Sequence, residues 1–69
     1  MKFLEYLNQQ QNKASLPQNQ FALYLGVDKA QLSRIMTGVR KPPVSFIYRV
    51  CTKFNDDKLI PSFIKERLS

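Results

Sequence analysis

The chain has two glycines, Gly26 and Gly38, and each one closes a short segment of helical periodicity. Phe21, Ala22 and Leu25 share a face by their i, i+1, i+4 spacing, and that segment stops at Gly26. A second segment starts behind Asp28, carries Leu32, Ile35 and Met36 as an inward stripe, and stops at Gly38. Glycine at such a stop takes up the left-handed backbone that ends a helix and reverses the chain. Asp28 suits an N-cap, where its side chain accepts hydrogen bonds from the first turn's free N–H groups. Residues 18–38 therefore predict two short helices, 17–25 and 29–37, joined by a three-residue turn.

The flanking sequence extends this pattern. A first helix over 2–13 has Phe3, Leu4 and Leu7 on its apolar side, with Tyr6 beside them, while Asn8 to Asn12 are polar. Gln9 to Gln11 read as solvated helix surface. Pro17 suits a first helical position, because it lacks an N–H that would be orphaned there. Residues 39–43, VRKPP, form a stiff basic connection in which paired prolines prevent the helix from continuing. A fourth helix over 44–54 buries Phe46, Ile47, Val50, Cys51 and Phe54, and Asn55-Asp56-Asp57 breaks it. A last helix over 61–68 starts at Pro61 and has Phe63, Ile64 and Leu68 apolar. Tyr6, Tyr24 and Tyr48 read as half-buried packing residues. The expected fold is all-α, a compact bundle of about five short helices, and residues 1–69 form one domain.

Composition narrows the function classes. The longest apolar runs are only a few residues, too short to span a bilayer, and the start shows no long apolar stretch of a signal peptide. One cysteine cannot make an internal disulfide, and with no histidine a zinc finger is excluded. The formal charge of +6 is unevenly placed. Lys2 and Lys13 against Glu5 leave residues 1–27 at +1. Lys29, Arg34, Arg40, Lys41, Arg49 and Lys53 against Asp28 leave residues 28–55 at +5. Lys58, Lys65 and Arg67 are balanced by Asp56, Asp57 and Glu66. The positive excess sits on the second helix of the pair and on the residues between it and Asn55. Nucleic-acid phosphate is the natural partner of such a patch, and an ordinary solvated basic surface is the plain alternative.

Two helices across a three-residue turn is the helix-turn-helix pattern, which places its second helix in the DNA major groove. The residues QNQFALYLGV, DKAQLSRIMTG, VRKPP and VSFIYRVCTKF succeed one another from Gln18 to Phe54. In that order the chain resembles the lambda-repressor-like, Cro/repressor-type helix-turn-helix proteins. MKFLEYL also looks like the first helix of small phage-type members. There are departures: Pro17 stands where a Ser or Thr cap is frequent, Pro43 where Ser is frequent, and Met36 where Glu is frequent.

The resemblance implies roles. Gln18 matches the glutamine that contacts phosphate and braces a recognition-helix side chain. Lys29 and Ala30 match the first two exposed recognition positions, and Ser33 and Arg34 the next pair, one turn on. Chemistry agrees: Arg or Lys donates to guanine O6 and N7, Ala packs on a thymine methyl, and Ser donates or accepts. Gln31 lies at the edge, within reach of a phosphate or a base. Arg40 and Lys41 come after the recognition helix and grip the backbone.

The leading expectation is a sequence-specific transcriptional regulator, a Cro-like repressor on a palindromic operator, acting in the cytoplasm of a prokaryotic or phage-infected cell. Its partner is double-stranded DNA, with a homodimer weak in solution or formed on DNA, and residues 56–69 as candidate dimer surface or as a lid over the chain's own core. The alternative is a protein-interaction module of the same fold, such as an antitoxin or anti-repressor. An enzyme is not expected, since histidine is absent, no carboxylates pair beyond Asp56-Asp57, and no glycine loop cradles a phosphate. No cofactor, metal, membrane or small-molecule substrate is expected.

Overall fold

The computed structural model describes residues 2–68. Five α-helices occur in order: α1 (Phe3–Ala14), α2 (Gln18–Leu25), α3 (Lys29–Met36), α4 (Val44–Lys53) and α5 (Ile60–Leu68), with one turn of 3-10 helix, Asp57–Leu59, before α5. No strand occurs among the described residues. The all-α expectation stands.

Each helix gives its apolar face to one core. α1 supplies Phe3, Tyr6 and Leu7, α2 supplies Phe21, Ala22 and Leu25, and α3 supplies Leu32 and Ile35. α4 adds Phe46, Ile47, Val50 and Cys51, and α5 adds Ile60 and Phe63. At one end the rings interlock edge to face: Phe3 lies 6.0 Å from Phe46 at 81° and 5.1 Å from Phe63 at 72°. Such pairs add to the roughly 1.5–3 kcal/mol each buried apolar side chain contributes by leaving water.

Four connections stop their helices with a left-handed residue: Ser15, Gly26, Gly38 and Asn55. After α4, Asn55 N–H donates to the Thr52 carbonyl at 3.2 Å and Asp56 N–H to the Cys51 carbonyl at 2.8 Å. That pair closes the last turn as a Schellman motif, with Asn in glycine's place.

Several local expectations change. Pro17 is the N-cap of α2 rather than its first residue, with φ −62° and ψ 158°. Pro43 holds the same position before α4, with φ −63° and ψ 157°. Thr37 caps α3 instead of belonging to it. α5 begins at Ile60, because the 3-10 turn runs directly into it. Tyr6 is buried rather than half-buried, with its hydroxyl donating to Asp56 Oδ2 at 2.5 Å. Tyr24 and Tyr48 are exposed, and Phe54 and Met36 only partly buried. Gln10 is buried at 8 % exposure, so the glutamine run is not all solvated surface.

The C-terminal segment lies over the core of its own chain. Phe63 is buried and Ile64 packs against the core, while Leu68 is exposed. Glu66 accepts the Phe3 N–H at 2.9 Å, filling the start of α1, where Lys2 provides no side-chain cap. Arg67 Nε donates to the Pro42 carbonyl at 2.8 Å, fastening the VRKPP connection.

Candidate nucleic-acid interface

The turn between α2 and α3 is fixed by its own backbone. Gly26, at φ +75°, donates to the Leu23 carbonyl at 3.1 Å, and Val27 N–H reaches back to the Ala22 carbonyl at 3.0 Å. Those two bonds form a Schellman motif, and Val27 closes it by packing against the core. The next helix starts two residues later on Asp28, whose Oδ2 accepts the Gln31 N–H at 3.1 Å. α3 is thus angled away from α2 by a turn whose hydrogen bonds are internal.

The far end of α3 repeats the device. Gly38, at φ +79°, donates to the Ile35 carbonyl at 3.1 Å, and Val39 N–H to the Arg34 carbonyl at 3.0 Å. Arg40 N–H also reaches the Arg34 carbonyl, at 3.2 Å, and Thr37 Oγ1 donates to the Ser33 carbonyl at 3.0 Å. The helix is therefore closed at both ends.

Between these caps α3 has two different sides. Leu32 and Ile35 are fully buried. Lys29, Ala30, Ser33 and Arg34 are all exposed, and Gln31 is half-buried at the edge. The helical spacing predicted this division. Gln18 is half-buried at the start of α2, and no hydrogen bond joins it to α3 among the described residues. Arg40 and Lys41 are exposed on the connection that Arg67 holds. That brace leaves no mark in the sequence, because Arg67 and Pro42 are 25 residues apart and Arg67 lies outside the motif to which Pro42 belongs.

The two groups with displaced ionisation lie away from this surface. Burial pushes the Cys51 thiol up to about 11, with the negative charges of Asp56 and Asp57 adding to the effect. Burial, together with the hydrogen bond to Asp56, raises Tyr6 well above the usual tyrosine range. Among the described residues, no group of three His, Cys, Asp or Glu side chains could hold a metal ion. No helix among them is long and apolar enough to cross a membrane.

A short helix with both ends closed, a bare outer side of small and basic residues, and a basic connection behind it have the chemistry to fit a DNA groove and its phosphates. Residues 9–55, more than half of the chain, match the family described as Helix-turn-helix. Neither the curated proteins nor the solved structures compared with the chain give a match. The chain belongs to the lambda-repressor-like helix-turn-helix family of DNA-binding transcription regulators.

Proposed function

We propose that the protein is a Cro-like repressor that occludes promoter DNA by laying α3 into the major groove of a palindromic operator, with residues 1–69 acting as one DNA-binding unit in the cytoplasm of a prokaryotic or phage-infected cell. The observation that carries the reading is the bare side of α3, where Lys29, Ala30, Ser33 and Arg34 stand in solvent opposite the buried Leu32 and Ile35. Arg34 donates to guanine O6 and N7, Lys29 to a neighbouring acceptor, Ala30 packs on a thymine methyl, and Ser33 bonds a base edge. Gln18, Gln31, Arg40 and Lys41 hold the sugar-phosphate backbone and set the register.

One such helix reads only a few base pairs, too few for selectivity against a genome. Two copies related by a two-fold axis, on half-sites about one helical turn apart, supply the remainder. At the C-terminal end Leu68 is the exposed apolar side chain available for contact between copies, and the pair forms on DNA.

Selection of bound duplexes from a random pool tests the reading. A palindromic consensus is expected. An enriched single half-site overturns the pair, and no enrichment overturns sequence-specific regulation. Absence of salt-sensitive DNA binding would favour an interaction module of the same fold.

A further inference from the structure

Beside the bare side of α3 lies a groove of about 830 Å³, open to solvent, between α4 and the α2–α3 turn. It meets the start of α3 at Asp28 and Gln31, and Ala30, Ser33 and Arg34 take no part in it. Its walls include Tyr24 from α2 and Tyr48, Arg49 and Lys53 from α4.

Both tyrosines are large rings left in solvent, at 46 % and 50 % exposure. Tyr24 is held in place: its ring lies 6.0 Å from that of Phe54, and Lys53 Nζ sits 4.4 Å from its centre. Arg49 lies across the turn, its Nη1 3.1 Å from the point where a side chain on Gly26 would begin. A side chain on Gly26 would press on the guanidinium and move it by a few tenths of an ångström. Asp28, the carboxylate in the lining, is already engaged by the Gln31 N–H. The groove therefore presents two cations beside two exposed rings, of which Tyr24 is held by Phe54 and Lys53.

Duplex DNA matches only half of that surface. It offers phosphates to the cations, but its base faces are stacked inside the helix and leave Tyr24 and Tyr48 nothing to cover. Tyrosine and arginine side by side are the composition of protein-recognition surfaces. We propose that this groove docks an acidic peptide segment of a partner protein, with an apolar or aromatic side chain between Tyr24 and Tyr48 and flanking carboxylates on Arg49 and Lys53. Carboxylates on Arg49 make charge-assisted, two-pronged hydrogen bonds, and those on Lys53 add a point charge. The docking needs only the folded protein, so it stands or falls apart from the operator reading; Ala30, Ser33 and Arg34 lie outside the groove, and Gln31 is the α3 side chain that the two readings share.

The test uses the whole chain without DNA and a set of labelled peptides, each with Asp and Glu on both sides of a central Leu, Phe or Trp, monitored by fluorescence anisotropy. At least one peptide is expected to bind saturably, more weakly as salt rises, while versions with Lys in place of the acids do not bind. R49E/K53E is expected to weaken it about ten-fold or more, and Y48A several-fold, with both variants still folded by circular dichroism. The peptide is also expected to bind the preformed complex with duplex DNA. Absence of saturable binding by every peptide, or affinity unchanged in R49E/K53E, overturns the proposal. So does an R49E/K53E variant that loses duplex affinity and salt slope as Lys41→Ala is expected to, which would make the groove a phosphate track.

Discussion

Arg67, on the last turn of α5, donates from Nε to the backbone carbonyl of Pro42 at 2.8 Å, and so ties the C-terminal helix to the connection that carries Arg40 and Lys41. The bond joins a half-buried guanidinium to a proline-stiffened strap, and it couples the position of two exposed cations to the packing of α5.

Removing that bond separates grip from reading. Arg67→Ala should cost roughly 1.5–3 kcal/mol of stability, the usual scale for a hydrogen bond that involves a charged group. DNA affinity should fall on specific and random duplexes alike, because the strap holding Arg40 and Lys41 loosens while α3 keeps both its caps. Denaturant melts and paired titrations check this; a selective loss on the specific site would show that Arg67 acts through α3 instead.

Arg34 and Lys41 should behave differently from one another. Arg34→Ala should cost roughly 1–3 kcal/mol of binding and relax base preference at one position. Lys41→Ala should weaken all sequences equally and lower the salt slope by about 1. An unchanged ratio of specific to random binding in Arg34→Ala would remove it from base reading.

Tyr6 and Asp56 form a second long-range tie, hydroxyl to carboxylate. Tyr6→Phe keeps the ring in the core and removes only the donor, so it should destabilise the fold by about 1–2 kcal/mol. A double-mutant cycle with Asp56→Asn should show coupling; strictly additive losses would mean that the bond contributes nothing.

The Cys51 thiol should be inert in the folded protein and give a defined alkaline limb to stability. Its folded value of about 11 lies above the ordinary thiol value of 9.0. The unfolded chain therefore loses this proton first as pH rises. The contribution is complete below about pH 9 and disappears as pH passes through about 11. Cys51→Ala should flatten the stability curve in that window, and a thiol reagent should label the wild-type chain only in denaturant.

The parts of the fold with local causes were legible in the sequence. Gly26, Asp28 and Gly38 set the two helices and their turn within a few residues, and helical spacing alone separated Leu32 and Ile35 from Lys29, Ala30, Ser33 and Arg34. Pro17 was misplaced by one position, since a proline fits an N-cap as well as a first helical residue. Interactions across the chain left no such trace. Nothing in the spacing of Glu66 or Arg67 indicates that their partners are Phe3 and Pro42. Gln10 looked like its polar neighbours until tertiary packing covered it. The groove at Tyr24 and Tyr48 was unreadable for the same reason, because α2 and α4 meet only in the folded chain.

The bond from Phe3 N–H to Glu66 has a consequence for how the protein comes into being. Of the five helices, the first to leave the ribosome is completed by a residue of the last, and so is the aromatic cluster, which waits for Phe63. A partly synthesised chain, or one trimmed by a protease before Ile60, carries the whole recognition helix but lacks the Glu66 bond at the start of α1, the helix that packs against α3. α5 thus bears on the recognition helix through α1, at the opposite end of the chain.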